Sequence, residues 1–167
     1  MSASTSPDNA KFLDAKYLAL AVELSRKKMH EGTGGPFGAV IVRDGKVLAE
    51  GWNEVTTSND PTAHAEVSAI RRACAAVGDF SLKGATIYSS CEPCPMCLAS
   101  VYWARLDRLV FANSRDQAAA IGFDDAAIYE EVSKSIADRS IPTLHLPLPD
   151  AEAVFREWTL KEDKVPY

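Results

Sequence analysis

Two short clusters of reactive residues constrain the fold of this chain more than any other feature. His64 and Glu66 stand one residue apart, and Cys94 and Cys97 follow Pro93 with two residues between them. A lone helical histidine, or a lone Cys-x-x-Cys pair, is weak evidence for a site. Residues three apart share one face of a helix, however, so the two cysteines can grip one ion. If the clusters act together, the fold must bring His64 to that ion.

The spacing of each cluster predicts that it lies at the start of a helix. Residues i and i+2 point roughly 200° apart on a helix. His64 and Glu66 can therefore face one site only if it lies off the helix N-terminus, and Pro61 to Ala63 indicate such a start. Pro95 opens a second helix just after Cys94. Two helix N-termini then converge on the metal, and their dipoles favour cysteine thiolates.

Together the clusters form the H-x-E…P-C-x-x-C pattern that is typical of zinc-dependent nucleobase deaminases. His64, Cys94 and Cys97 supply three ligands, which leaves a fourth tetrahedral position for water. Two thiolates cancel the formal charge of Zn²⁺, so the ion acidifies water only modestly and a general base is needed. Glu66 is the predicted catalytic base, which carries a proton from the water to the ring and the departing amine. The alternative is a closed structural zinc with Cys91 as the fourth ligand.

Strands and helices alternate after an opening hairpin, which predicts a three-layer α/β/α sandwich in one domain spanning 1–167. The first helix runs to about His30, with its apolar face at Phe12, Ala15, Ala19 and Val22. A helical crossover before the last strand would let the last two strands run parallel, giving a central mixed five-stranded sheet. The predicted strands are 37–42, 47–52, 85–89, 108–112 and 143–146, and the later helices are about 63–77, 95–104, 125–136 and 151–160.

Charge and cysteine usage narrow the class of partner and the compartment. A net charge of −5 leans towards a small-molecule substrate and away from nucleic acid. The one basic cluster, Arg26 to Lys28, fits a solvated helix end. No apolar run approaches the ~20 residues of a membrane span, and no export signal is visible. A cytoplasmic protein is expected, in which the four cysteines favour a metal site over disulfides.

Several segments resemble bacterial guanine deaminases of the cytidine-deaminase fold, over about 12–167. These segments are GGPFGAVIVRDG, TSNDPTAHAEVSAIRRAC, SCEPCPMC, YWAR and IGFDDAAIYEE. The zinc motif alone fits cytosine, cytidine or tRNA-adenosine deaminases equally well, whereas GFDD and the terminal tyrosine narrow the choice. The resemblance implies one Zn²⁺ per subunit and hydrolysis of guanine to xanthine and ammonia in purine metabolism.

The resemblance also implies a set of substrate-binding residues. Asn53 would hold the purine ring through its amide, with Phe37 beside the base and Trp103 near the pocket wall. Asp125 would hydrogen-bond the purine and assist ammonia departure, and Ala65 is a further predicted contact. An ionised carboxylate only accepts hydrogen bonds, which suits the donor edge of guanine. Simpler readings remain open: Asn53 as a turn residue, Asp125 as a helix cap, and both aromatic residues as parts of the core.

The resemblance at the C-terminal segment also implies an oligomeric state. Tyr167 resembles a terminal tyrosine that reaches the partner's active site, so the segment 149–167 would be exchanged within a homodimer. Guanosine deaminase is the nearest alternative function, because it shares GFDD and a terminal tyrosine but must admit a ribose. Cytosine deaminase, tRNA adenosine deaminase and a non-catalytic zinc module are the others. The acidic balance counts against tRNA.

Overall fold

The computed structural model of the chain describes residues 7–166. It divides into two units, the first ending at Asp125 and the second beginning at Ala126. The elements of the first are α1 (Pro7–His30), β1 (Gly38–Arg43), β2 (Lys46–Trp52), α2 (Val55–Ser58), α3 (Ala65–Val77), β3 (Ala85–Cys91), α4 (Pro95–Trp103), β4 (Arg108–Asn113) and α5 (Arg115–Ala119). Those of the second are α6 (Ala126–Ser133), a 3-10 turn (Ile136–Asp138) and α7 (Pro149–Leu160).

A mixed sheet of four strands, in the order β2-β1-β3-β4, forms the centre of the first unit. β1 runs antiparallel to both β2 and β3, and β3 runs parallel to β4. The predicted hairpin is confirmed: Asp44 and Gly45 both have positive φ, at 51° and 73°, as a tight turn between twisted strands requires. The parallel pair is joined through α4, since parallel neighbours need a crossover connection.

The prediction of a fifth strand at Thr143–Leu146 is wrong. That segment forms no strand within residues 7–166. Pro142 and Pro147 bracket it, and proline has no N–H to donate to a ladder. The residues between them keep their N–H groups, but the two prolines limit any ladder in this segment to its four residues. The sheet has four strands, and the expected parallel pairing of a fourth strand with a fifth does not occur.

Helices cover both faces of the sheet, which confirms the three-layer α/β/α arrangement. Ile41 and Ile87 point to one face and pack with small residues of α3 and α4. Val40 and Tyr88 point to the other face and pack against α1. Successive strand residues alternate between faces, so β1 and β3 serve both layers. Helices on both faces explain why the residues of these two central strands are buried along almost their whole length.

The predicted apolar face of α1 is wrong. Phe12, Ala15 and Ala19 are exposed, and the helix instead buries Tyr17 and Ala21. The Tyr17 hydroxyl donates to the Gly45 carbonyl oxygen at 2.7 Å, which ties the helix to the hairpin turn. These contacts with the sheet outweigh the larger apolar area of Phe12. Helical spacing indicated a helix correctly, but it did not identify the side that packs.

The residues predicted to form the site lie at one end of the sheet. Gly38, which opens β1, pairs with Trp52, which ends β2. Ala39 pairs with Ser89 near the end of β3. β3 and β4 then end together, because they run parallel. The loops that precede β1 and follow β2, β3 and β4 therefore all emerge at this end.

A close approach between β2 and α3 fixes the helix over the same end. A Cβ built on Gly51 would lie 2.2 Å from the Ala65 carbonyl oxygen. No side chain fits at that distance, so only glycine allows this packing. Since Ala65 opens α3, the contact sets how far the N-terminus of α3 stands from the end of β2.

The second unit is a short helical segment without a buried core of its own. No described residue from 126 to 166 is buried. Its apolar side chains include Leu144, Phe155 and Leu160, which are between 75% and 84% exposed. Across residues 7–166, no helix has both the length and the apolar character needed to cross a membrane.

Candidate active site

The predicted metal ligands come together at the end of the sheet. His64 Nδ1 lies 3.6 Å from Cys94 Sγ and 3.5 Å from Cys97 Sγ, and the two sulfurs are 3.5 Å apart. The three form a group whose ligand atoms all lie within 4.8 Å of one another. The two motif clusters, far apart in sequence, thus supply three donors around one point.

The spacing of these donors fits a tetrahedral zinc ion. With Zn–S near ~2.3 Å and Zn–N near ~2.0–2.1 Å, tetrahedral angles place ligand atoms ~3.5–3.8 Å apart. The measured separations of 3.5 and 3.6 Å are close to three edges of such a tetrahedron. One imidazole and two sulfurs are also the donor types that zinc prefers. The geometry leaves the fourth vertex for a non-protein ligand.

Helix N-termini place two of the three donors, as the motif spacing predicts. His64 is the N-cap residue of α3 and Cys94 that of α4, and neither side chain caps its own helix. Both are therefore directed away from the helix and available to an ion. The hydrogen bond with Cys97, aided by His64, lowers the pKa of the Cys94 thiol to about 4. The same pairing raises the pKa of Cys97, and burial acts in the same direction.

Cys91 does not join the donor group. Its thiol donates to the Ser114 carbonyl oxygen at 3.7 Å. Burial raises the pKa of Cys91 to about 11, as for an inert structural thiol. Among the described residues the metal group comprises His64, Cys94 and Cys97. The geometry thus favours an open site over a closed zinc with Cys91 as the fourth ligand.

Glu66 lies beside the metal group and away from bulk water. It is 6% exposed, and its Oε1 accepts a hydrogen bond of 2.9 Å from the Ser89 hydroxyl. Burial raises the pKa of Glu66, with opposing effects from hydrogen bonds to its own backbone, Ser89 and Cys97. A carboxyl whose pKa is raised takes up a proton more readily than an exposed one does. Position and environment both suit a proton carrier.

Asn53 follows β2 directly and is buried, with 8% of its surface exposed. Its N–H donates to the Phe37 carbonyl oxygen at 3.1 Å, and its Oδ1 accepts from the Val55 N–H at 3.3 Å. The second contact is the local turn role that the sequence left open. The structure therefore gives Asn53 a turn function without assigning its amide group to a ligand.

An aromatic pair connects Phe37 to the GFDD segment. The rings of Phe37 and Phe123 meet edge to face at 4.8 Å and 88°, a favoured arrangement for aromatic pairs. Phe37 also packs against the core on the α3 side of the sheet. Two residues after Phe123 comes Asp125, whose pKa is raised by burial and then by the negative charge on Cys94. Asp125 therefore lies within electrostatic reach of the metal group.

The other predicted contacts differ in position. Ala65, fully buried, opens α3 between His64 and Glu66. Trp103 is 61% exposed and ends α4, about 9 Å along the helix from Cys97 at ~1.5 Å per residue. Tyr167 lies outside the described residues. The place of Trp103 near the pocket wall and the role of Tyr167 at the partner's active site stay predictions.

The sequence did not indicate two further polar residues that lie at the candidate site, Ser89 and Arg72. Ser89 lies in β3 next to a second serine, Ser90, and nothing in the pattern marks its hydroxyl as the partner of Glu66. Arg72 lies six residues beyond Glu66 in α3 and contacts the residues on both sides of Asn53. Long-range contacts of this kind leave no short-range signature.

Comparison with known proteins gives a consistent result. The cytidine and deoxycytidylate deaminase zinc-binding region matches residues 12–113. The chain is similar to guanine deaminase of Bacillus subtilis, at 48% identity over 151 residues, or 90% of this chain and 97% of that protein. The crystal structure of guanine deaminase from that organism has a TM-score of 0.90 and 48% identity, covering 92% of this chain and 98% of that one.

Two further relatives show how far the likeness extends. A structure of guanine deaminase from Nitrosomonas europaea has a TM-score of 0.63 and 29% identity, covering 75% of this chain and 68% of that one. The tRNA-specific adenosine deaminase of Haemophilus influenzae is 40% identical over 119 residues, covering 67% of this chain and 68% of that protein. With the His64, Cys94 and Cys97 group in place and the zinc-binding region matched, the chain belongs to the cytidine and deoxycytidylate deaminase family of zinc-dependent enzymes, as a homologue of bacterial guanine deaminase.

Proposed function

We propose that the protein deaminates guanine hydrolytically, giving xanthine and ammonia. The observation that carries this proposal is the extent of the likeness to guanine deaminase. A match over 151 of 167 residues includes more than half of the second unit, 126–167. The similarity to the tRNA-specific relative is shorter, at 119 residues. Because the zinc motif is common to both classes, the regions outside it must distinguish their substrates.

The proposed mechanism uses few groups of this chain. Zinc, held by His64, Cys94 and Cys97, supplies Lewis-acid activation of water when it is bound. Glu66 accepts a proton from the attacking water and delivers it to the ring nitrogen, and it then carries the second proton of that water to the amine, which leaves as ammonia. Its raised pKa and burial support this role, because a carboxyl that takes up a proton more readily can act as both base and acid.

Substrate recognition is proposed to involve four residues: Phe37, Asn53, Ala65 and Asp125. Asn53 would bind the purine through its amide group, and Phe37 would pack beside the base. Asp125 would accept hydrogen bonds from N–H groups of the guanine edge, which adenine does not present in the same pattern. Its position near Cys94 supports a further part in ammonia departure. Ala65 would line the base where α3 begins.

A parallel assay of ammonia release tests the proposal. Zinc-loaded protein is given guanine, guanosine, adenine and cytosine, with Glu66→Ala as the matched control for background activity. Turnover of guanine alone, lost in the variant, would support the proposal. Preference for guanosine would assign the substrate to the nucleoside, preference for cytosine to the pyrimidine, and silence on all four would overturn the guanine assignment. A tRNA anticodon-stem substrate in the same assay separates the editing alternative.

We also propose a cytoplasmic homodimer, built from single-domain subunits, in which the segment 149–167 is exchanged. Support comes from the second unit, where none of the described residues from 126 to 166 is buried although many are apolar. Exposed apolar side chains concentrated in one segment fit burial at a subunit interface. Thiolate zinc ligands also suit a reducing compartment. Size exclusion with light scattering tests the assembly: a monomer at micromolar concentration would contradict it, and removal of 149–167 should abolish dimers.

A further inference from the structure

We infer that Arg72 is a positioning residue for substrate binding, acting through Asn53. This inference rests on the proposed guanine deaminase function, in which Asn53 holds the purine. The starting observation is that Arg72 contacts residues immediately before and after Asn53, so one side chain holds the loop from both sides. Asn53 itself lies between these two contacts.

The contacts of Arg72 are three in number and differ in kind. Its Nη2 donates to Glu54 Oε2 at 2.6 Å, and its Nη1 donates to the Glu50 carbonyl oxygen at 3.1 Å. Its guanidinium carbon stands 4.1 Å from the centre of the Trp52 ring. A planar guanidinium can donate in its plane and stack through its face at the same time, which a lysine ammonium cannot do. Arg72 therefore fixes residues 50, 52 and 54 together.

The Trp52 ring also contacts a second cation. Lys28 Nζ lies 4.4 Å from the ring centre. Lys28 is in turn paired with Glu31 at 2.8 Å. The contacts with Arg72 and Lys28 restrict the movement of the ring. Trp52 thus supports the backbone of the residue that follows it, Asn53.

The loop is tied to the metal site by its backbone as well. The Glu54 N–H donates to the Ala63 carbonyl oxygen at 2.8 Å, one residue before the ligand His64. Arg72 itself belongs to α3, the helix that begins with Ala65 and Glu66. One helix therefore carries Glu66 at its start and Arg72 six residues later. The contacts of Arg72 thus link the loop that carries Asn53 to the helix that carries Glu66.

The functional consequence concerns the affinity for guanine. Asn53 can hold the purine only if its amide stays where the bound purine lies, and a binding group that must first be ordered contributes less to affinity. Without the Arg72 contacts, Asn53 would still be present but would be free to shift with its loop. Binding of guanine should weaken more than the stability of the fold, because Arg72 is itself 37% exposed.

The test is a steady-state comparison of zinc-loaded variants with guanine. Arg72→Leu should raise KM by about tenfold and change kcat less, while Arg72→Lys, which keeps the charge, should fall between it and the wild type. Arg26→Leu is the matched control, because Arg26 is an exposed helical arginine paired with one glutamate, Glu23, at 2.8 Å. Its KM should equal that of the wild type. Thermal unfolding of each variant identifies any loss that reflects folding alone.

A double-mutant cycle decides whether Arg72 acts through Asn53. In an Asn53→Ala background, Arg72→Leu should raise KM no further, since the group that it positions is gone. If turnover in that background is too slow, calorimetric binding of xanthine supplies the same comparison. An unchanged KM in Arg72→Leu, or an equal effect with and without Asn53, would overturn the inference and leave the proposed function standing. Silence of the wild type with guanine would overturn both.

Discussion

Ser89 and Glu66 share a hydrogen bond of 2.9 Å in a region that bulk water barely reaches, since their exposed fractions are 1% and 6%. The serine lies on β3, and the glutamate lies on the first turn of α3. The contact therefore joins the sheet to the helix at the carboxyl that is proposed to move protons. It also restricts the orientation of that carboxyl relative to the metal group.

Ser89→Ala should lower kcat by about tenfold, or ~1.4 kcal/mol in activation free energy, because the carboxyl loses its oriented donor. The free energy of unfolding should fall by roughly 1–3 kcal/mol, since a buried acceptor is left without its partner. Ser90→Ala is the matched control: Ser90 is buried and accepts from the Gly38 N–H at 2.9 Å. Comparable kcat losses in both variants would show that the Ser89 effect is one of folding alone.

Gly34→Ala should damage the site through the backbone of Asn53. A Cβ on Gly34 would lie 2.1 Å from the Asn53 carbonyl oxygen, so the loop must shift, whereas one on Gly35 would lie 3.5 Å from the Asn53 side chain in ordinary contact. We expect Gly34→Ala to lower kcat/KM for guanine by at least about tenfold and stability by ~1–3 kcal/mol. Gly35→Ala should change both little. Steady-state kinetics and urea unfolding check this, and equal effects of the two substitutions would contradict it.

The zinc content of variants should distinguish the two buried cysteines, Cys91 and Cys97. Cys97→Ser should lower zinc occupancy and abolish guanine turnover, because it removes a ligand sulfur of the group. Cys91→Ser should retain zinc near one ion per subunit, because the Cys91 thiol is directed at Ser114. Metal analysis of purified, zinc-loaded protein measures both. Dialysis of the wild type against a strong chelator should likewise abolish turnover, and added zinc should restore it. Loss of zinc in Cys91→Ser would instead support a closed structural zinc site with Cys91 as the fourth ligand.

Lowering the pH should remove the contribution of the Asp14–Arg108 ion pair to the free energy of unfolding. Arg108 donates to both carboxylate oxygens of Asp14, at 2.8 and 2.6 Å, and Tyr88 donates at 2.9 Å. The hydrogen bond from Arg108 lowers the pKa of Asp14 below its usual value of 3.8. A lowered folded pKa means that the contribution is present above the unfolded pKa and is lost as pH falls through the folded one. Wild type should therefore exceed Asp14→Asn by about 1 kcal/mol near neutral pH only.

Urea unfolding at about pH 7 and at about pH 3 measures this difference, since the unfolded pKa of aspartate lies near ~3.9. The advantage of wild type over Asp14→Asn should shrink in acid. In an Arg108→Leu background it should be small at both pH values, because the charge partner is gone. A difference that stays constant with pH would assign the effect to packing.

Local patterns predicted the elements that depend on neighbours in sequence. The motif spacing located the metal group and both helix starts, since ligands three residues apart at an N-terminus have few alternative geometries. The hairpin at Asp44 and Gly45 followed from turn chemistry. The four true strands were each predicted to within two residues at their ends.

Features that depend on distant partners were missed or misplaced. The segment Thr143–Leu146 had the composition of a strand, but a proline on each side limits any ladder there to four residues. The face of α1 was misjudged because Phe12 is more apolar than Ala21, although the close approach of helix to sheet favours the smaller residue. The contacts of Ser89 and Arg72 join residues more than fifteen positions apart, which no periodicity records.

The absence of a single carbon atom at Gly51 limits how the specificity of this enzyme could be altered. Strand and helix touch there through backbone, so the gap between Asn53 and the start of α3 cannot be narrowed, and any side chain would force it wider. Selection for a larger or smaller base would therefore have to act on side chains and loops around a pocket of constant width. Libraries that vary the Phe123 and Asp125 segment should yield altered substrates, whereas variation at position 51 should yield unfolded or inactive protein.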